Sequence, residues 1–391
     1  MIQNKFQYNY TNDPRDQGTQ LQHSKVVEYY CNRNFKVFLP YVQQQLQNQP
    51  LADQNNDLKR SIQKMYFDDG RYVNYRDNID NRDQFELKNK TIIFITGVPG
   101  GINYYKRIQN SIGQQFCRMI DFYTPGFDRN DERRGQQYQG GIDQLAKLID
   151  DFMIKLGVQS AVFLAHSYGG IVVKNFIYLK PHKVEGFIQI CTVPMTLWEG
   201  QKKLEKLELQ KYNLDVDQIS SERLSDEDFR TQLKQKIMST KESLQDLSEQ
   251  EKFQLGPIVN FSFQDIIAML QIRLSVPGKY NEIFHRFRQL NQNIPRMIAY
   301  SKNDVLISSN TIEEEIYQYV VGENALQRRI TKLTSPQPQL DMNNFSSNYI
   351  FRFDDTTHFL QNERSAELGI IAKHFIRQID MTQIIINKPK I

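Results

Sequence analysis

The sequence predicts an α/β fold, a mostly parallel sheet flanked by helices. Three observations carry this. Apolar runs of strand length alternate with segments whose apolar residues recur at helical spacing. One run, Ala161 to Ala165, stops at a serine followed by Tyr168 and two glycines, and a helical pattern then begins. Gly97, Asp304 and His358 stand past the ends of other runs, on the sheet edge where such folds gather their active groups.

The 391 residues divide into four stretches. Residues 1–60 form an N-terminal arm rich in Gln, Asn, Asp and aromatics, with helical pattern in Val26 to Leu46 broken by Pro40. Residues 61–194 hold the first part of the core. Lys64 to Phe67 and Arg71 to Tyr75 flank Asp68-Asp69-Gly70, a hairpin signal. Thr91 to Thr96 is a continuous apolar run, as expected of a strand covered on both faces. Arg118 to Tyr123 is the next strand. Ile142, Leu145, Leu148, Ile149, Phe152 and Leu156 recur at helical spacing, and Gly157 stands where a C-cap glycine belongs. After the strand at Ala161 to Ala165, a helix over Ile171 to Leu179 is stopped by Pro181, and Val184 to Cys191 reads as a strand. Residues 195–293 change character: Lys, Glu, Gln and Leu dominate at helical spacing, which predicts a helical insertion. Residues 294–391 complete the core with strands at Arg296 to Tyr300 and Tyr349 to Phe353 and a helix from Ala366 to Ile379.

Composition excludes several classes. A net charge of +4 is too balanced for a nucleic-acid binder. Cys31, Cys117 and Cys191 lie too far apart for a metal site or a disulfide framework, so a reducing, intracellular compartment is expected, cytoplasmic or mitochondrial. No apolar run reaches the roughly 18–20 residues that cross a bilayer, and the N-terminal segment is not of signal-peptide type.

The serine at the strand end is Ser167, in Ala165-His166-Ser167-Tyr168-Gly169-Gly170. A strand–turn–helix elbow projects a serine hydroxyl from the sheet and needs small residues two before and two after it, here Ala165 and Gly169. A serine hydroxyl also needs a base, and the base an orienting carboxylate. Of six histidines, His358 alone sits in a loop after a late strand. His166 adjoins Ser167 on the strand, so its side chain is expected to point away. Asp304 stands at the end of the preceding strand and is the expected acid; Asp354 and Asp355 are rivals more suited to shaping the His358 loop. Donors for an oxyanion are expected from the N–H groups of Tyr168 and of Val98, in the glycine-rich loop Gly97-Val98-Pro99-Gly100-Gly101. That loop is no phosphate cradle, since no Lys-Ser or Lys-Thr follows, and a dinucleotide fingerprint is absent.

In these motifs the chain resembles the α/β-hydrolase superfamily across roughly 62–195 and 294–380. Thr96-Gly97-Val98-Pro99-Gly100-Gly101 is similar to that family's His-Gly-x-Pro-Gly loop, and Tyr123-Thr124-Pro125-Gly126-Phe127 to its Pro-Gly-Phe segment. Asn303-Asp304 and Thr357-His358-Phe359 match its acid and base positions. Thr96 and Ala165 depart from the usual His and Gly, both outside the Ser–Asp–His set. The resemblance implies an α/β-hydrolase fold with the insertion as a helical cap and the arm as an N-terminal extension. It implies a serine hydrolase acting on a small carboxylic ester or thioester, lipid-derived in one reading, with no cofactor and no metal. A serine in place of an aspartate at the elbow argues against dehalogenase or epoxide hydrolase chemistry. Phe261 to Leu270 gives an apolar face that would line an acyl pocket or pack the cap, and Cys191 reads as a structural thiol. The alternative reading is an accessory subunit of a larger assembly, mitochondrial in one version, that meets protein partners through the arm.

Overall fold

The structure, a computed structural model of the chain, describes residues 31, 39–47, 61–79, 85–98, 100–101, 103–126, 133, 141–194, 223–224, 226–245, 262–264, 267, 294–304, 306–316 and 348–386. Within these residues eight strands form one sheet: β1 (Gln63–Tyr66), β2 (Tyr72–Asp77), β3 (Leu87–Ile95), β4 (Cys117–Tyr123), β5 (Ala161–His166), β6 (Val184–Ile190), β7 (Arg296–Ser301) and β8 (Asn348–Phe353). Their order is β1-β2-β4-β3-β5-β6-β7-β8. Strand β2 runs antiparallel to β1 and β4, and every other pairing is parallel. The hairpin between β1 and β2 closes as expected at Gly70, whose φ of +80° suits a residue without Cβ.

Helices cover both faces of the sheet. Among the described residues the helices include α1 (Lys106–Ile112), α2 (Gly141–Lys155), α3 (Tyr168–Leu179), α4 (Glu227–Gln245), α5 (Ser309–Glu315), α6 (Leu360–Glu363) and α7 (Ser365–Ile386). Period-two alternation along the strands sorts their side chains into two cores. Ile93 and Ile95 of β3 and Ala161, Phe163 and Ala165 of β5 meet the apolar faces of α2 and α3. Ile92, Phe94, Val162 and Leu164 meet α1 and α7 on the other side. All nine are 0% exposed, which is why these strands read as unbroken apolar runs. Helix α2 ends as expected, with Gly157 at φ +65°.

Several elements differ from the sequence reading: α7 runs to Ile386 rather than Ile379, and neither α5 nor α6 was expected. Helix α1 was not anticipated: it is seven residues long, has no side-chain cap and carries no acid in its first turn. Strand β3 starts at Leu87, and a register irregularity between Leu87 and Thr91 separates that polar start from the apolar run. Helix α3 starts at Tyr168 rather than Ile171, so it takes in both glycines.

The arm and the insertion fall largely outside the described residues. Of the arm, Cys31 and Val42 are buried against the chain's own core, 2% and 3% exposed. Of the insertion, α4 is helical and buries Leu233 and Ile237, and Ile267 is buried in the Phe261–Leu270 stretch, of which 262–264 are the other described residues. Among the described residues no helix is long and apolar enough to cross a membrane. All three cysteines are free and buried.

Candidate active site at the carboxyl edge of the sheet

Strand β5 delivers Ser167 and α3 leaves from it. Ser167 takes φ 52° and ψ −124°, a conformation strained for a residue with a Cβ and characteristic of residues held for function. The surroundings over-determine it. Its N–H donates to the Ile190 carbonyl at 3.2 Å, and its own carbonyl accepts from Gly170 N–H at 3.0 Å and Val193 N–H at 3.2 Å. The elbow is thereby fastened to the end of β6. Ser167 is 9% exposed.

The small residues of the elbow have specific neighbours. A Cβ on Gly169 would lie 2.5 Å from the Ile95 carbonyl oxygen and 2.6 Å from that of Thr96, so α3 approaches the end of β3 at backbone distance. A Cβ on Gly170 would lie 2.3 Å from Thr192 Cβ. Ala165, where a glycine is commoner, is fully buried in the α2–α3 core, and its methyl is accommodated there.

Across the sheet edge, β7 and β8 bring in the acid and the histidine. His358 Nδ1 and Asp304 Oδ2 are 2.7 Å apart, both side chains buried. The other carboxylate oxygen of Asp304 accepts the N–H groups of Leu306 and Ile307, each at 2.9 Å, and so faces the histidine in a fixed orientation. The loops themselves are tied together: Ser301 Oγ donates to the Thr356 carbonyl at 2.5 Å and Asn303 Nδ2 to the Asp354 carbonyl at 2.5 Å. The rival acids are engaged elsewhere, Asp354 with Arg352 and Asp355 with Arg364, and both are exposed.

The glycine loop after β3 lies against the serine. A Cβ on Gly97 would be 2.9 Å from both Ser167 Cβ and His166 Nδ1 and 3.0 Å from the Tyr104 hydroxyl, so a larger residue at 97 would press into this group. Val98 follows it, partly buried against the α2–α3 core. Tyr168 opens α3, where the first N–H groups lack acceptors within the helix. All five expected site residues thus belong to loops or ends on one edge of the sheet. Pro99 is outside the described residues.

Cys191, the residue after β6, is fully buried with φ 42°. Burial and the negative charge of Asp304 push its thiol well above the ordinary range, so it stays protonated. Behind the elbow, Lys174 of α3 is fully buried and paired with Glu315, and it donates to the Val193 carbonyl at 3.0 Å. Burial lowers the pKa of this ammonium and that of the nearby Arg296 guanidinium, the latter to about 10, while Glu315 pulls both the other way.

His166 is the residue whose setting the sequence did not disclose. It leaves β5 on the α1–α7 side, as alternation requires, but that side is where the His358 loop crosses. Its Nε2 lies 2.7 Å from the His358 carbonyl oxygen and its Nδ1 2.6 Å from the Tyr104 hydroxyl.

The family model described as alpha/beta hydrolase fold matches residues 90–252. No curated protein matches the sequence. Solved structures similar to the chain include a carboxylesterase of the ammonia-oxidizing thaumarchaeon Nitrososphaera gargenis, at 14% identity and TM-score 0.55, over 82% of this chain and 100% of that one. A haloalkane dehalogenase from Bradyrhizobium elkani is similar at 12% identity and TM-score 0.53, over 82% and 99%. An epoxide hydrolase from hot-environment metagenomes is similar at 16% identity and TM-score 0.50, over 81% and 98%.

Proposed function

We propose that this chain, an α/β-hydrolase-fold protein, is a serine hydrolase that cleaves carboxylic esters or thioesters through an acyl-enzyme on Ser167. The observation that carries the reading is the strained Ser167 elbow on the same sheet edge as a buried Asp304–His358 pair. With Nδ1 of His358 committed to Asp304, Nε2 is left to take the Ser167 proton. The serine oxygen attacks the carbonyl carbon, and the charge that develops on the carbonyl oxygen is met by the N–H groups of Val98 and Tyr168. As the tetrahedral intermediate collapses, His358 returns the proton to the leaving alcohol or thiol. Water, deprotonated by His358, then attacks the acyl-serine, and the carboxylic acid leaves as the proton goes back to Ser167. Asp304 holds the imidazole in orientation and stabilises its charged form in both halves. The chemistry requires no cofactor.

The nucleophile's identity separates this reading from the other activities found on the fold. A serine alkoxide that displaced a halide or opened an epoxide would be left as an ether, which water does not cleave under these conditions. An acyl group on the same oxygen is an ester, which it does. The test is turnover of a series of p-nitrophenyl esters and acyl thioesters of increasing chain length by the wild type and Ser167→Ala. Wild-type turnover that falls at least about a thousandfold in the variant is expected. Equal rates in the two proteins would overturn the reading.

A further inference from the structure

The histidine before the nucleophile faces the backbone of the base. His166 is fully buried, and its Nε2 sits 2.7 Å from the carbonyl oxygen of His358. A carbonyl oxygen only accepts, so Nε2 carries the proton and Nδ1 presents a lone pair. The Tyr104 hydroxyl, 2.6 Å from that Nδ1, is then the donor. The chain of donation runs from Tyr104 O–H to the His166 ring and from the ring to the His358 carbonyl. Aromatic contacts brace it: the His166 ring lies 4.7 Å from the His358 ring and stacks with Phe359 at 6.3 Å.

We infer that His166, set by Tyr104, is a positioning residue that fixes the base loop relative to the nucleophile, an inference that rests on the hydrolase reading of Ser167 and His358. Asp304 fixes the His358 ring at Nδ1; His166 fixes its backbone. Because His166 and Ser167 are consecutive, the nucleophile and the anchor of the base share one rigid strand end. A shift of the base by about 1 Å costs on the order of a hundredfold in rate, so a single hydrogen bond to its carbonyl is well placed to matter. Burial and the neighbouring His358 lower the pKa of His166, which favours the neutral ring this arrangement needs.

The test compares His166→Phe, which keeps a ring of similar size without N–H, with His166→Gln, whose amide N–H can reach the same carbonyl. Ester turnover and amide hydrogen exchange over residues 354–359 are both read. In His166→Phe, kcat is expected to fall roughly 30- to 100-fold with KM changed by less than about threefold. Exchange over 354–359 should accelerate about tenfold while the core strands stay protected. His166→Gln should restore both to within about fivefold of wild type. If His166→Phe does not fold, Tyr104→Phe, which removes only the hydroxyl, should move both readouts in the same direction by less. Wild-type exchange over 354–359 in His166→Phe, or equal impairment of the Phe and Gln variants, would overturn the inference. A wild type that turns over no ester would count against the proposed function, and the exchange measurement would still decide whether His166 anchors the loop.

Discussion

Replacing Gly169 by alanine puts a methyl carbon 2.5 Å from the Ile95 carbonyl oxygen and 2.6 Å from that of Thr96. Both atoms are backbone at the end of β3, the centre of the sheet, and neither can rotate away. An ordinary contact needs about 3.4 Å, so the first turn of α3 must retreat from β3 by about 0.9 Å, the difference between 3.4 and 2.5 Å. Ser167 is the residue at the head of that helix and moves with it. The overpacking should cost about 1–3 kcal/mol of stability. The displacement should cost on the order of a hundredfold in the rate of acylation, because near-attack geometry is lost at that scale. Urea unfolding measures the first and the second-order rate of inactivation by a fluorophosphonate the second. A Gly169→Ala protein with wild-type stability and wild-type inactivation rate would refute the claim that the elbow requires backbone-distance contact with β3.

Other variants test other parts of the site. Glu315→Gln should destabilise by about 3–5 kcal/mol, because it leaves Lys174 and Arg296 buried beside a neutral amide. Lys174→Met should cost less, since Glu315 then still faces Arg296; the reverse order in denaturant unfolding would contradict this. Asp304→Asn should lower kcat about ten-thousandfold without unfolding the protein, and a loss under tenfold would remove Asp304 from the proposed mechanism. Stability should also depend on pH. His166 is held well below its ordinary 6.5, so the unfolded chain takes up the proton first. Its contribution is full above about pH 6.5 and declines as pH falls below that. His374, lowered by burial and by Arg377, adds in the same direction. Unfolding at pH 7.5 and 5.5 should show a smaller difference in His166→Phe than in wild type, and an equal one would contradict the assignment.

What the sequence disclosed follows from how local each signal is. Strands β3 and β5 lie in the middle of the sheet with both faces covered, so every residue in Ile92–Ile95 and Ala161–Ala165 had to be apolar or small. The elbow is legible because its steric demands fall on consecutive residues. Asp304 and His358 are legible because chain order and strand ends place them on one edge. Helix α1 escaped because seven residues with only Ile108, Gln109 and Ile112 buried give barely one repeat of helical spacing. The setting of His166 escaped for a different reason. Alternation along β5 says which face a side chain takes but not what crosses that face. The loop after β8, 192 residues further on, is brought there only by the order of strands in the sheet.

The most direct measurement is intact-mass and peptide analysis after treatment with a fluorophosphonate. A single phosphonyl adduct on Ser167, formed in the wild type and lost in His358→Ala, is the predicted result. A folded wild type that takes no adduct, or takes it on another serine, would contradict a nucleophilic Ser167.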